Sequence, residues 1–421
     1  MITQAPRGTA DWYGENMYRR EKIESICFEQ ARRYHIHQIQ TPVFEHTVLF
    51  ARGVGETTDV VQKEMYTFED RSGRSITLKP EGTAGVIRAY LEHSMYAEPG
   101  ISKLCYVTPA FRYEKPQSGR LRQHHQFGVE YIGSESPLVE AELISLVSDI
   151  ISEVGLKDME VHINSIGCKD CRREYNKALL AYLEEHRGSL CKTCQERMER
   201  NPLRVIDCKN ETCKEIVKDA PRTVDYLDEG CRAHFEELQS LLTELNIPFQ
   251  VDTGIVRGLD YYTRTVFEFV DKEGFTLCGG GRYDGLVEQL GAQPTPAVGF
   301  AIGLERFILL LQSINAVEVE NPVDVYFCAV GDEAVRQSMV IAEQLRDQIS
   351  GIRILTNCSG GNFKKQFKRA DKSGALFALV LADDELAKNE IGIKNLRVES
   401  EQLNVKISAV AEELKKLLGV N

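Results

Sequence analysis

Gly299-Phe300-Ala301-Ile302-Gly303-Leu304-Glu305-Arg306-Phe307 reads as a strand that turns through Gly303 into a helix headed by Glu305 and Arg306. A helix N-terminus already favours anions, and an arginine placed there adds a bidentate phosphate donor. Two other segments have the same character. Thr108-Pro109-Ala110-Phe111-Arg112-Tyr113-Glu114 puts Arg112 and Glu114 on one face at the end of a strand. Val256-Arg257-Gly258-Leu259-Asp260-Tyr261-Tyr262-Thr263 is the third. The chain carries no P-loop pattern and no GxGxxG opening a helix after a strand. If it uses ATP, it must do so with arginines and carboxylate-held magnesium, which offset the charge of a departing phosphate group.

Outward from these segments, residues 103–111 and 126–132 form two strand-like runs around a polar stretch that holds Arg112, Lys115, Arg120 and Arg122. That pattern predicts an antiparallel hairpin with a projecting basic tip. An amphipathic helix is expected over 21–33, then a strand over 36–40 that Thr41-Pro42 closes. Leu143, Val147, Ile150 and Ile151 share a face of a helix over 138–154. Strand patterns recur at 249–251, 266–269 and 297–301. Residues 167–222 differ in character, rich in Cys, Lys, Arg and Glu, and read as an inserted helical module. A polar linker at 318–322 precedes an alternation of strands (323–330, 353–355, 375–381) and helices (333–346 and a basic helix at 361–369). Such alternation predicts a small α/β domain with a mainly parallel sheet.

At 421 residues the chain is too long for a single core, and its 43% hydrophobic and 27% charged residues describe a globular protein. No apolar run approaches the ~20 residues of a membrane span. Residues 1–14 lack a basic stretch followed by an apolar core, so no secretory signal and a cytoplasmic location are expected. The net charge of −12 argues against nucleic-acid binding by the average surface, although a local basic patch can coexist with it.

Twelve cysteines without an export signal imply reduced thiols, and six of them lie between Cys168 and Cys213. Cys168-x2-Cys171 and Cys191-x2-Cys194 are close to paired zinc knuckles, with Cys208 and Cys213 as alternative ligands. The other reading is six independent thiols. In either case the role would be structural, since catalytic zinc sites keep an open position.

The three phosphate-binding segments resemble motifs 2 and 3 of class II aminoacyl-tRNA synthetases. Arg257-Gly258-Leu259-Asp260-Tyr261-Tyr262 and Gly279-Gly280-Gly281-Arg282-Tyr283-Asp284-Gly285 resemble the two signatures of the histidyl-tRNA synthetase family. By themselves, Gly279 to Gly281 would read only as a tight turn or bulge. Pro6-Arg7-Gly8-Thr9-Ala10-Asp11, Thr41-Pro42-Val43-Phe44-Glu45 and Leu78-Lys79-Pro80-Glu81-Gly82-Thr83 are similar to further motifs of that family, the second being its dimer-forming motif 1. The resemblance runs from about residue 6 to about residue 415.

The resemblance implies an α+β catalytic domain over 1–320, an antiparallel sheet flanked by helices and interrupted by the helical insertion, followed by an α/β anticodon-binding domain over 323–421. It implies activation of histidine with ATP and Mg2+, and transfer to tRNA(His) by a homodimer. Arg112 and Arg257 would flank the α-phosphate as catalytic cations. Glu114 would contact the adenine, while Arg120 and Arg306 would take the terminal phosphates. Glu81, Thr83, Gln126, Glu130, Tyr262 and Tyr283 would line the histidine pocket, with Glu130 and Tyr262 reading the two imidazole nitrogens and Glu81 the α-amino group. His124 stands where the family has a phenylalanine stacked on adenine. Lys79, where arginine is usual, reads as a solvated charge. Lys115 and Gln117 would meet the acceptor end of the tRNA, and Phe363 and Phe367 in the basic helix would suit unstacked bases unless they are buried.

Two other functions fit parts of this pattern. A regulatory paralogue that binds histidine without charging tRNA would lose the ATP-site arginines and the last domain, and this chain keeps both. A prolyl or threonyl enzyme would lack the two histidine signatures.

Overall fold

The computed structural model describes residues 3–55, 58, 60–117, 119–208, 210–314 and 323–420. The linker expected at 318–322 lies outside the described residues. These form two compact units, one up to residue 314 and one from residue 323.

In the first unit α1 (Glu15–Arg33) leads into β1 (His37–Gln38). A small antiparallel sheet of β2 (Phe44–His46), β3 (Tyr66–Glu69) and β4 (Ser75–Leu78) follows, with α2 (Thr47–Val54) inside it. Then come α3 (Thr83–Glu92), the hairpin of β5 (Ser102–Phe111) and β6 (Gln123–Ile132), α4 (Leu138–Glu153) and β7 (Met159–Ser165). The inserted module is all helical: α5 (Lys169–Glu185), α6 (Lys192–Arg200), α7 (Leu203–Ile206) and α8 (Glu211–Lys218). The unit closes with α9 (Glu229–Glu244), β8 (Phe249–Val251), β9 (Thr263–Asp271), β10 (Thr276–Arg282), α10 (Leu286–Gln289), β11 (Ala297–Gly303) and α11 (Leu304–Ser313).

Eight strands form the main sheet in the order β1-β5-β6-β11-β10-β9-β7-β8. All neighbours are antiparallel except at the edges, where β1 runs parallel to β5 and β8 to β7. The predicted strand at 36–40 shrinks to two residues because the chain turns away toward Pro42, although the Ile39 amide still donates to the Cys105 carbonyl (2.8 Å).

The two-residue period of the strands decides what the sheet can do. On β6, Phe127, Val129 and Tyr131 point into a core shared with α1, α4, α9 and α11. His124, Gln126, Gly128 and Glu130 alternate with them and face the other way. β11 repeats the pattern, with Val298, Phe300 and Ile302 in the core and Gly299 opposite Glu130 across the ladder. Gly279 to Gly281 lie inside β10 rather than in a turn, with a register shift where Gly281 meets Arg282. The second face of the sheet is therefore paved with glycines, which leave room for a cleft.

The second unit contains β12 (Val325–Val330), α12 (Asp332–Gln348), β13 (Ile354–Thr356), α13 (Phe363–Lys372), β14 (Phe377–Ala382), α14 (Asp383–Ala387), β15 (Glu390–Asn395), β16 (Leu403–Lys406) and α15 (Val410–Leu418). Its sheet runs β13-β12-β14-β15-β16, parallel over the first three strands and antiparallel over the last two. The mainly parallel sheet expected from the sequence is thus a mixed one. An antiparallel return needs no long crossover, and the short α14 suffices between β14 and β15. Among the described residues no helix is long and apolar enough to cross a membrane.

Candidate active site

A cleft of about 770 Å³ opens over the glycine-paved face. Glu81 and Thr83 reach it from the start of α3, Arg112, Glu114 and Arg120 from the hairpin tip, and His124 and Gln126 from β6. Arg257, Tyr261 and Tyr262 come from the segment before β9, Tyr283 from the end of β10, and Arg306 from the first turn of α11. The strand-to-helix turn through Gly303 is as predicted: Gly303 is the N-cap of α11.

At one end of the cleft the chemistry converges on Glu130, which is 1% exposed and sits just beneath the lining. Its carboxylate accepts from the hydroxyls of Thr83 (2.8 Å), Tyr106 (2.9 Å) and Tyr283. Burial pushes the Glu130 carboxyl up to about 8, against these three donors, which pull it down. Gly299 is required here, because a Cβ at that position would collide with the Glu130 carboxylate. Glu81 caps α3, accepting from the amides of Thr83 (2.6 Å) and Ala84 (2.9 Å), and burial raises its carboxyl as well. The buried Gln126 Oε1 has no hydrogen-bond partner among the described residues.

The other end is cationic. Arg257 pairs with Glu268 and lies 5.8 Å from the Tyr262 ring centroid, while its buried Nε has no hydrogen-bond partner among the described residues. It crosses the floor directly over Gly279, where any Cβ would strike the guanidinium. Arg112 donates from Nε to the Pro80 carbonyl (2.8 Å). Arg306 donates to the Thr276 carbonyl (2.5 Å) and stacks 4.7 Å from Phe275, and Arg120 stands 3.7 Å from Glu114. Burial, then the nearby Arg120 charge, lowers the Arg306 pKa. Burial and then Arg112 push the His124 imidazole down to about 3, so it is a neutral ring at physiological pH.

Several supporting residues have no role in the sequence reading, either lying within a strand run (Tyr106, Glu268) or quoted only within a motif (Glu305, Arg282). Tyr106 lies across the ladder from Gly128, and the glycine inside that strand was the available signal. Glu268 holds Arg257 and accepts from Thr276 (3.1 Å). Glu305 accepts from the His125 amide (2.9 Å), tying α11 to β6. Arg282, within the glycine-rich signature, turns away from the cleft. It is fully buried on Glu140 (2.6 Å), which also pairs with His234 (2.6 Å), so it braces β10 against α4 and α9.

Three sequence readings are corrected. Lys79 is not solvated: it is 1% exposed, its Nζ donates to the Thr41 carbonyl and hydroxyl (3.3 and 3.2 Å), and burial lowers it to about 8 against the carboxylates of Glu45 and Glu81. Phe363 and Phe367 pack, partly buried, against Tyr326 and Cys328, which leaves Lys364, Lys365 and Lys368 as the exposed face of α13. Cys168 and Cys171 do not join Cys191 and Cys194. Cys191 and Cys194 gather instead with Cys208 and Cys213, the alternative ligands of the sequence reading, and Cys168 and Cys171 meet Asp228 and Cys231 in another group. Spacing along the chain cannot reveal this pairing, because the module folds back between the two CxxC turns. Lys115 and Gln117 are both exposed near the hairpin tip.

Residues 8–307 match the family model described as histidyl-tRNA synthetase, and residues 324–417 match the anticodon binding domain. The chain is 49% identical to the histidine–tRNA ligase of Clostridioides difficile (strain 630), covering 99% of this chain and 100% of that one. It is 46% identical to that of Halothermothrix orenii over 99% and 100% of the two chains. Among solved structures, apo S. aureus histidyl-tRNA synthetase matches with a TM-score of 0.82 at 38% identity, covering 98% of this chain and 100% of that one. A Bacillus halodurans protein titled as an ATP phosphoribosyltransferase regulatory subunit/histidyl-tRNA synthetase shares the fold, with a TM-score of 0.65 at 19% identity over 91% of this chain and 99% of that one.

Proposed function

The chain belongs to the histidyl-tRNA synthetase family, and on that premise we propose how its cleft carries out histidine–tRNA ligation. The carboxylate of histidine attacks the α-phosphorus of ATP, the bond from that phosphorus to the α,β-bridging oxygen breaks, and magnesium pyrophosphate leaves. A ribose hydroxyl at the tRNA 3′ end then attacks the histidyl carbonyl, and AMP leaves. Mg2+ enters as part of the ATP substrate.

Arg257 and Arg112 stabilise the charge that develops on the α-phosphate, with Arg306 and Arg120 on the terminal phosphates and Glu114 and His124 at the adenine. Glu130 and Tyr262 read the two imidazole nitrogens. An ionised carboxylate has about four lone-pair directions, and three hydroxyls leave Glu130 one for the imidazole N–H. Glu81, Thr83, Gln126 and Tyr283 complete the histidine pocket. The observation that carries this reading is the division of one cleft into a hydroxyl-ringed buried carboxylate and a set of four arginines.

The regulatory alternative is disfavoured because Arg112, Arg257 and Arg306 all reach the cleft. Residues 323–420, with the lysines of α13, serve the anticodon, and Lys115 and Gln117 the acceptor end. Exposed Val43, Phe44 and Val48 support a homodimer through the motif 1 segment. Twelve free thiols suit a cytoplasmic setting.

We also assign a structural Zn2+ to Cys191, Cys194, Cys208 and Cys213, whose sulfurs lie within 4.8 Å of one another. Cys191 and Cys208 are 3.9 Å apart, against about 3.8 Å for the edge of a ZnS4 tetrahedron with Zn–S near 2.3 Å.

The test is histidine-dependent ATP–pyrophosphate exchange followed by tRNA charging, in parent and Arg257→Ala proteins. Exchange that the variant largely loses supports the reading. A folded protein that binds histidine but shows no exchange would move the assignment to the regulatory alternative.

A further inference from the structure

The inserted module leaves the main sheet after β7 and rejoins the core at α9, and both crossings carry metal-ligand side chains. Cys168 is the N-cap of α5 and Cys171 its third residue, while Asp228 is the N-cap of α9 and Cys231 its third. The two half-sites face each other. Cys168 Sγ and Cys171 Sγ lie 3.1 and 3.2 Å from Asp228 Oδ2 and 3.5 Å from one another. All four ligand atoms fall within 4.8 Å of one another.

We propose that Cys168, Cys171, Cys231 and the Asp228 carboxylate hold a Zn2+ ion that clips the root of the inserted module, a second site in addition to the four-cysteine site inside it. Three soft sulfurs and one carboxylate oxygen supply the four ligands that a tetrahedral Zn2+ takes and leave no position open, as in a structural site. The Asp228 amide donates to Cys171 Sγ (3.2 Å), a hydrogen bond that orients a ligating sulfur. Two helix N-termini converge on the group and offset the negative charge of the thiolates, which release their protons when the metal binds. The four-cysteine site repeats the device, since Cys191 caps α6 with Cys194 at its third position, and Cys213 is the third residue of α8.

The location gives the clip a purpose. Cys168 and Asp228 are 60 residues apart in sequence, and closing so long a loop is where a cross-link restrains the chain most. The Arg264 amide donates to the Gly167 carbonyl (2.9 Å), and Arg172 Nη2 donates to the Tyr262 carbonyl (2.7 Å). The clip thus sits beside the segment that carries Tyr262 into the cleft.

Native mass spectrometry and elemental analysis of the full-length protein, prepared without chelators, should show two zinc ions per chain. The double variant Cys168→Ser/Cys231→Ser should hold one, and Cys208→Ser/Cys213→Ser should hold the other. A parent with one ion that survives Cys168→Ser/Cys231→Ser but not Cys208→Ser/Cys213→Ser would overturn the second site and leave the four-cysteine site standing. The reverse pattern would sink the four-cysteine assignment alone, and no zinc would sink both. Should the variants fail to fold, alkylation mapped by peptide decides on the parent protein. Partly exposed Cys168 should resist the reagent until a chelator is added, whereas immediate reaction, or a metal-free Cys168–Cys171 disulfide, overturns the proposal.

Discussion

The two ends of the cleft solve opposite electrostatic problems on the same strand face. Around Glu130 one carboxylate accepts from the neutral hydroxyls of Thr83, Tyr106 and Tyr283, with no cation bonded to it among the described residues. Around Arg257, four guanidiniums share two carboxylates, Glu268 and Glu114, and some backbone carbonyls. The first end holds a preformed site for a small ligand that donates hydrogen bonds. The second gathers four guanidiniums in one region of the cleft, an arrangement suited to a polyanion. Selectivity and transition-state stabilisation are therefore separable by substitution, because unpaired hydrogen bonds discriminate ligands while fixed charge lowers the barrier.

The strongest challenge to that separation is Arg257→Ala. Loss of a preorganised cation at the developing charge should lower the exchange rate by about 10³-fold, while the histidine dissociation constant changes by less than about tenfold. Equal losses in both, measured by exchange kinetics and calorimetry, would merge the two ends. Glu130→Gln should show the opposite split. Leaving buried hydroxyls mismatched costs about 1–3 kcal/mol, so KM for histidine should rise about 10–100-fold with KM for ATP nearly unchanged.

The same residue predicts a pH dependence. In the empty pocket the Glu130 carboxyl is raised to about 8 by burial, and an imidazole N–H favours its ionised form, so histidine binding releases a proton below that pH. Affinity should therefore rise between pH 6.5 and 8, by at most about tenfold per pH unit, and level off above. Calorimetry in buffers of different ionisation enthalpy checks the proton release, and Glu130→Gln should flatten the profile.

Arg306→Ala should raise KM for ATP about tenfold without touching histidine binding, the value of one charged hydrogen bond. His124→Phe should have the smallest effect. The imidazole is already neutral, so the change adds only ring area, and KM for ATP should fall a few-fold.

Much of this site could be read from the chain. Arg112 and Arg306 announced themselves because local structure places them, at a strand end and in the first turn of a helix, whereas Arg257, in the irregular segment before β9, was legible only through its motif. Glu268 and Tyr106 were not, since each matters through a partner on another strand. His124 is held neutral by burial, which its position in the sequence alone does not reveal.

What the sequence by itself determined is what acts within a few residues: the two-residue period that sends Phe127 and Glu130 to opposite faces, the turn at Gly303, and the helices of the inserted module. Only the tertiary structure decided the long-range meetings. It brought Cys168 to Asp228 and Cys191 to Cys208, buried Lys79 against Thr41, turned Phe363 and Phe367 inward, and set Glu130 beneath the cleft lining. The physical reason is that periodicity reports which side of a strand or helix is dry, whereas a ligand set, a buried charge or a shifted carboxyl depends on which distant segments close over it.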